Sequence, residues 1–178
     1  MNHFVKGNPD LCIGCRTCMI GCVVAHEGLH IFEVDPDSYN FNPKLSVIKT
    51  AAITVPVQCK HCENPACMAV CPEKCIHLEK DAVVVDTDRC IGCKTCVMAC
   101  PYGAIEIVPD ARNRVQMDGS PRMIANKCDL CIHSRRGPEC VRVCPTEALT
   151  LVTEEDLEKE AADKRIAAAK ALAEMNGA

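Results

Sequence analysis

The sequence predicts an α+β fold of two interleaved units of one plan, with short strands and short helices, followed by a single C-terminal helix. Three observations predict it. The cysteines fall into four similarly spaced groups, short β-branched runs come after three of them, and the last 26 residues switch to helix-forming composition.

Group one is Cys12, Cys15, Cys18 and Cys22, and group three is Cys90, Cys93, Cys96 and Cys100. Both read C-x2-C-x2-C-x3-C, with Ile-Gly between the first two cysteines. Group two, Cys59, Cys62, Cys67 and Cys71, is spaced C-x2-C-x4-C-x3-C, and group four, Cys128, Cys131, Cys140 and Cys144, is spaced C-x2-C-x8-C-x3-C. Sixteen of the 17 cysteines are thereby placed. Aligned on the Cys-Pro step that ends groups two to four, Cys75 stands where the others have Ala104 and Ala148, and so reads as a small buried packing residue.

The local elements follow from the same register. Three residues between the third and fourth cysteine suit one helical turn, which Pro72, Pro101 and Pro145 terminate. The runs 82–85, 104–108 and 148–152 read as strands. Between groups one and two, Asp35-Pro36-Asp37-Ser38 reads as a turn and 44–49 and 51–55 as strands, while 112–127 reads as a loop or hairpin. From Thr153, a plausible N-cap before a run of acids, about 22 residues would build a helix about 33 Å long. Leu157, Ala161, Ala168, Leu172 and Met175 share one face. That helix either lies on its own domain or serves docking and oligomerisation.

Cysteine at this density implies disulfides, zinc or iron–sulfur ligation. The N-terminal stretch lacks an apolar h-region and a twin-arginine address, and no apolar run is long enough to span a bilayer, so the expected setting is soluble and cytoplasmic. Thiols stay reduced there. Zinc knuckles use two cysteines each and would leave the third and fourth of every group unexplained. Three cysteines within seven residues can instead reach three corners of one iron–sulfur cubane, and in two-cluster ferredoxins the fourth cysteine of such a run binds the other cluster.

Groups must then work in pairs. Four [4Fe–4S] clusters are expected, held by Cys12, Cys15, Cys18 and Cys144; by Cys128, Cys131, Cys140 and Cys22; by Cys59, Cys62, Cys67 and Cys100; and by Cys90, Cys93, Cys96 and Cys71. An inserted ferredoxin-like unit at 51–101 would sit inside an outer one made of 1–50 and 102–152, with 153–178 as the terminal helix. No catalytic residue is expected, because cysteine fills every iron site and no nucleophile–base pair is evident.

Net charge is −4, which argues against nucleic acid as the main partner. The segment 111–142 is locally basic, with Arg112, Arg114, Arg122, Lys127, Arg135, Arg136 and Arg142. It is either a solvated face or an offset to the negative charge of clusters. His61 and His133, beside cluster cysteines, read as groups around the ligands or at the surface.

These groups, the C-x8-C gap in the fourth, and the Cys-Pro-Tyr-Gly-Ala and Lys-Cys-Asp-Leu-Cys strings resemble the four-cluster subunits of the dimethyl sulfoxide reductase iron–sulfur family over about residues 3–152. Within it, the chain is similar to short soluble members serving formate hydrogenlyase and hydrogen-dependent carbon dioxide reductase. The resemblance implies an electron-transfer subunit between a formate dehydrogenase and a hydrogenase, with other four-cluster subunits as further partners. A maturation or scaffold protein that carries clusters for a formate dehydrogenase is the alternative.

Overall fold

A computed structural model of the chain describes residues 1–28, 30–35 and 39–175. The turn expected at Asp35-Pro36-Asp37-Ser38 lies, but for Asp35, outside the described residues. The elements run β1 (Phe4–Gly7), α1 (Thr17–Glu27), a 3-10 turn (Ile31–Glu33), β2 (Leu45–Lys49), β3 (Thr54–Gln58), α2 (Ala66–Ala69), β4 (Ile76–Glu79), β5 (Ala82–Val85), α3 (Thr95–Ala99), β6 (Glu106–Pro109), β7 (Met123–Asn126), α4 (Glu139–Arg142), β8 (Leu149–Val152) and α5 (Glu154–Met175). The mixed α+β class with a C-terminal helix is the one the sequence predicts.

Helix length is decided by the residue after the fourth cysteine. Behind Cys71, Cys100 and Cys144 stands proline, and α2, α3 and α4 are no longer than five residues. Cys22 has no proline behind it, so α1 runs for 11 residues and ends at Gly28, held at φ 64°. Helix α1 packs on α4, and α2 packs on α3. Strand β1 closes on β8 with Phe4 opposite Val152, joining the two extremes of the cysteine-bearing sequence.

The other three sheets are antiparallel hairpins, β2–β3, β4–β5 and β6–β7. Strand β3 begins later than expected, at Thr54, because the Thr50 hydroxyl accepts the amide N–H groups of Ala52 and Ile53 and turns the chain first. Segment 112–127 is the tip and return arm of the β6–β7 hairpin. Strands β1 and β4 were not expected. Each has four residues, and β4 reaches β5 through Lys80 and Asp81 at φ 46° and 61°, a turn without glycine to announce it.

Two groups of buried side chains form the core. One joins Val5, Leu45 and Leu149 to Cys18, Cys22, Cys59, Cys128 and Cys140, and the other joins Ile76, Val83, Ile105 and Ile124 to Cys67, Cys75, Cys90 and Cys96. Helix α5 adds nothing to either, for none of its residues is buried. Its start is defined by a reciprocal cap. Thr153 Oγ1 accepts the Asp156 N–H at 3.3 Å while the Asp156 carboxylate accepts the Thr153 N–H and O–H at 2.9 and 2.8 Å.

Gly14 and Gly92 are held at φ 71° and 65°, and each meets a hairpin. A Cβ at Gly14 would sit 2.9 Å from the Thr54 methyl, and one at Gly92 would sit 2.5 Å from the Met123 carbonyl oxygen. Backbone cannot yield as a side chain can. Gly92→Ala is expected to destabilise the protein by about 2 kcal/mol or more and to lower metal content at the neighbouring loop. Anaerobic denaturant melts and metal analysis of the purified variant check this, with Gly103→Ala, where a Cβ meets nothing within 4 Å, as the control for φ strain alone.

Candidate metal centres

All four C-x-x-C loops share one backbone device. The residue before the second cysteine is left-handed in each: Gly14, His61 at φ 47°, Gly92, and Leu130 at φ 57°. Two of the four are not glycine, so sequence alone revealed only half of the pattern. The bend turns amide N–H groups inward, and those of His61 and Leu130 donate to Cys59 and Cys128 Sγ, each at 3.4 Å. Further amides arrive from the hairpins, Lys44 N–H on Cys22 Sγ and Ala125 N–H on Cys90 Sγ, each at 3.3 Å.

Cys12, Cys15, Cys18 and Cys144 line one cavity, and Cys71, Cys75, Cys90, Cys93 and Cys96 line another. Cys59 lies within electrostatic reach of Cys62 and Cys100, and Cys67 of Cys59 and Cys100. Cys140 and Cys131 lie within reach of each other and of Cys22, and Cys128 of Cys140. The first two sets each present one exposed cysteine, Cys15 and Cys93; the other two present none.

Burial pushes the thiols of Cys18 and Cys96 up to about 11 and that of Cys140 up to about 12. A buried thiolate needs a cation. At Cys71 and Cys144 burial acts the same way but loses to donors from the turn after the Cys-Pro step. The amides of Glu73, Cys75 and Ile76 serve the first, and those of Thr146, Ala148 and Leu149 serve the second, so both are held below the ordinary thiol value. The donor set therefore fits a cationic metal centre in each place: clustered soft sulfur ligands, N–H groups aimed at them, and burial that favours neutralisation by metal over free thiolate. All 17 cysteines are free of disulfides. Cys75 is buried, as expected of a packing residue, with its Sγ 3.4 Å from Cys71 Sγ.

Four of the seven cations in 111–142 have structural tasks. Arg112 and Arg114 pair with Asp88 and the buried Asp110, and Arg142 pairs with Glu139. Arg122 donates to the carbonyls of Thr87, Asp88 and Cys90 at 3.0, 2.7 and 2.7 Å. This clamp fastens the β6–β7 hairpin to the loop entering group three. Lys127 is buried and bonds to backbone carbonyls.

Of the two histidines singled out, His133 is exposed and His61 is buried, its Nδ1 accepting the Val83 N–H at 2.9 Å. Burial, then the charge of Lys127, lowers His61 to about 3, so the ring is neutral and carries its proton on Nε2. A third histidine was missed. His26, one turn after Cys22 on α1, places Nε2 2.9 Å from Asp129 and Nδ1 2.7 Å from the Cys22 carbonyl, and Lys44 lies 3.6 Å from the same carboxylate. The spacing of four from Cys22 was the available signal.

A model described as a 4Fe-4S dicluster domain matches residues 50–154, and one described as a 4Fe-4S binding domain matches residues 9–24. The chain belongs to the 4Fe-4S dicluster family. Electron transport protein HydN of Escherichia coli K12 is 44% identical over 173 residues, covering 93% of this chain and 96% of that protein. Hydrogenase-4 component A of the same organism is 33% identical over 195 residues, covering 95% of this chain and 91% of that protein. The cofactors are four [4Fe–4S] clusters, and the protein is an iron–sulfur electron-transport protein. Among the described residues, no helix is long and apolar enough to cross a membrane.

Burial alone would lower His26, but the Asp129 carboxylate and Cys22 raise it to about 10; against its own burial, His26 and Lys44 hold Asp129 well below the usual carboxylate range. The His26 contribution to stability is therefore complete below its unfolded value of about 6.5 and lost as pH rises through about 10. His26→Gln is expected to lower the anaerobic melting midpoint at pH 6 and to match the parent near pH 10. Melts across that range check it.

Proposed function

We propose that this chain is an electron-transfer subunit of the dimethyl sulfoxide reductase iron–sulfur type, relaying electrons between a formate dehydrogenase and a hydrogenase in the cytoplasm. Catalysis belongs to the partner subunits. The observation that supports the reading is the clustering of cysteines in neighbouring groups. Two sets have an exposed member, two have none, and neighbours connect them: Cys140 feels the charge of Cys18, and Cys96 that of Cys67.

In this reading the ligand sets are Cys12, Cys15, Cys18 with Cys144; Cys22 with Cys128, Cys131, Cys140; Cys59, Cys62, Cys67 with Cys100; and Cys71 with Cys90, Cys93, Cys96. The outer unit is 1–50 with 102–152, and 51–101 is inserted within it. Bound there, the clusters take up and release single electrons. The protein supplies position, N–H donors to sulfur and exclusion of water. A relative named as a hydrogenase component supports the hydrogenase side, while the formate dehydrogenase side rests on the four-group pattern.

Anaerobic protein is expected to hold about 16 irons, with one cluster lost on removing any member of one set. Cys144→Ala and Cys12→Ala should abolish the same electron paramagnetic resonance signal, and Cys22→Ala and Cys128→Ala a different one. Loss of different signals within a pair would overturn the sets. Transfer of clusters to an apo-partner during turnover, in place of reversible reduction, would point to a scaffold instead.

Helix α5 is read as the assembly element. Its residues from 162 onward are all exposed, including Ile166, Leu172 and Met175. Deleting 155–178 is expected to leave iron content unchanged and to abolish co-purification with partner subunits from anaerobic cells.

A further inference from the structure

The two proposed units meet at Val83. Its N–H is donated to His61 Nδ1 in the loop between Cys59 and Cys62, and its carbonyl accepts from the Lys127 ammonium, one residue before Cys128. A single peptide neighbourhood thus touches group two on one side and group four on the other. Lys127 Nζ also donates to the Cys128 carbonyl at 2.7 Å. The side chain is enclosed, with Lys127 only 2% exposed, and among the described residues no carboxylate lies within ion-pair distance of it. The carboxylate beside Cys128 belongs to Asp129, which is committed to His26 and Lys44.

A buried lysine without a counter-ion is costly unless something anionic is near. Two backbone carbonyls supply dipoles but no net charge. The anions at hand are the cysteine sulfurs of the two inner sets. Lys127 stands between them, its ammonium bonded to the carbonyl of Cys128 in one set and to that of Val83, whose N–H holds His61 between Cys59 and Cys62 of the other.

We propose that Lys127 is a positioning cation shared by the two inner cysteine sets, whose buried ammonium raises the reduction potential of the clusters held there. The inference rests on the ligand sets proposed above. Reduction adds one electron to a centre that is already anionic, and a fixed positive charge in a medium of low polarisability favours the reduced form. Sharing one cation between two centres lowers the energy of both. The buried His61 Nε2–H, which has no partner among the described residues, adds a neutral donor at the same place.

The test is a redox titration of the anaerobic, cluster-loaded full chain, monitored by electron paramagnetic resonance, for the parent, Lys127→Gln and Lys127→Arg. Cys62→Ala and Cys131→Ala identify the inner-set signals. In Lys127→Gln the two inner clusters are expected to lose at least about tenfold in reduction equilibrium, or about 59 mV for one electron, while the outer two stay within about twofold. Lys127→Arg should keep the parent potentials. Unchanged inner potentials in a fully loaded Lys127→Gln, or an equal shift of all four, would overturn the proposal. Should Lys127→Gln fail to load iron, loading of Lys127→Arg with parent potentials sustains it, because charge is then what the site requires. Failure of both variants overturns it, since shape is then the requirement. A parent chain with far fewer than about 16 irons would sink the ligand sets themselves, a separate failure.

Discussion

A thiolate in a protein interior is stable only next to positive charge and hydrogen-bond donors, and this chain gathers cysteine sulfur at sixteen spaced positions, all but Cys15 and Cys93 buried or half-buried. Most of the architecture answers that constraint. The left-handed residue in each C-x-x-C loop turns amides toward sulfur, the turn after the Cys-Pro step does the same for Cys71 and Cys144, and hairpins supply Lys44 and Ala125. A chain without tryptophan and with five aromatic residues can still enclose two cores, because sulfur and metal occupy the space that large side chains would fill.

The nesting arises from the same requirement. Helices α1 and α4 lie together although more than a hundred residues separate them, while α2 and α3 are near in sequence. Strands β1 and β8 then seal the outer pair. Such a topology has costly loop closures, since the ends must find each other before β1 pairs with β8 and α1 packs on α4. Metal binding offsets that cost when four ligands are drawn from both ends of the chain, so folding and cluster assembly are thermodynamically linked.

Much of this was legible because spacing is a strong constraint. The four groups, the short helices cut by Pro72, Pro101 and Pro145, the burial of Cys75 and the cap at Thr153 could all be read from residue order. The features that escaped detection depended on tertiary partners. His61 and Leu130 take the backbone conformation of Gly14 and Gly92 without being glycine, because the loop around sulfur imposes it. Strand β1 is four residues whose partner lies at the far end of the chain, a pairing no local pattern encodes. His26 acquires meaning only when Asp129 arrives from group four.

The basic stretch shows why composition misleads about charge. Its excess suggested either a solvated face or a counterweight to anionic clusters, and the residues divide between other tasks. Arg112, Arg114 and Arg142 are paired with carboxylates and so add little net field. Arg122 lies 3.8 Å from the Asp110 carboxylate and donates to three carbonyls, acting as a mechanical tie. Arg135 and Arg136 are exposed, where water screens them. Only Lys127 combines burial with the absence of an ion-pair partner among the described residues. Field strength at a buried centre depends on how few compensating charges stand between it and the source, so one enclosed lysine outweighs several surface arginines.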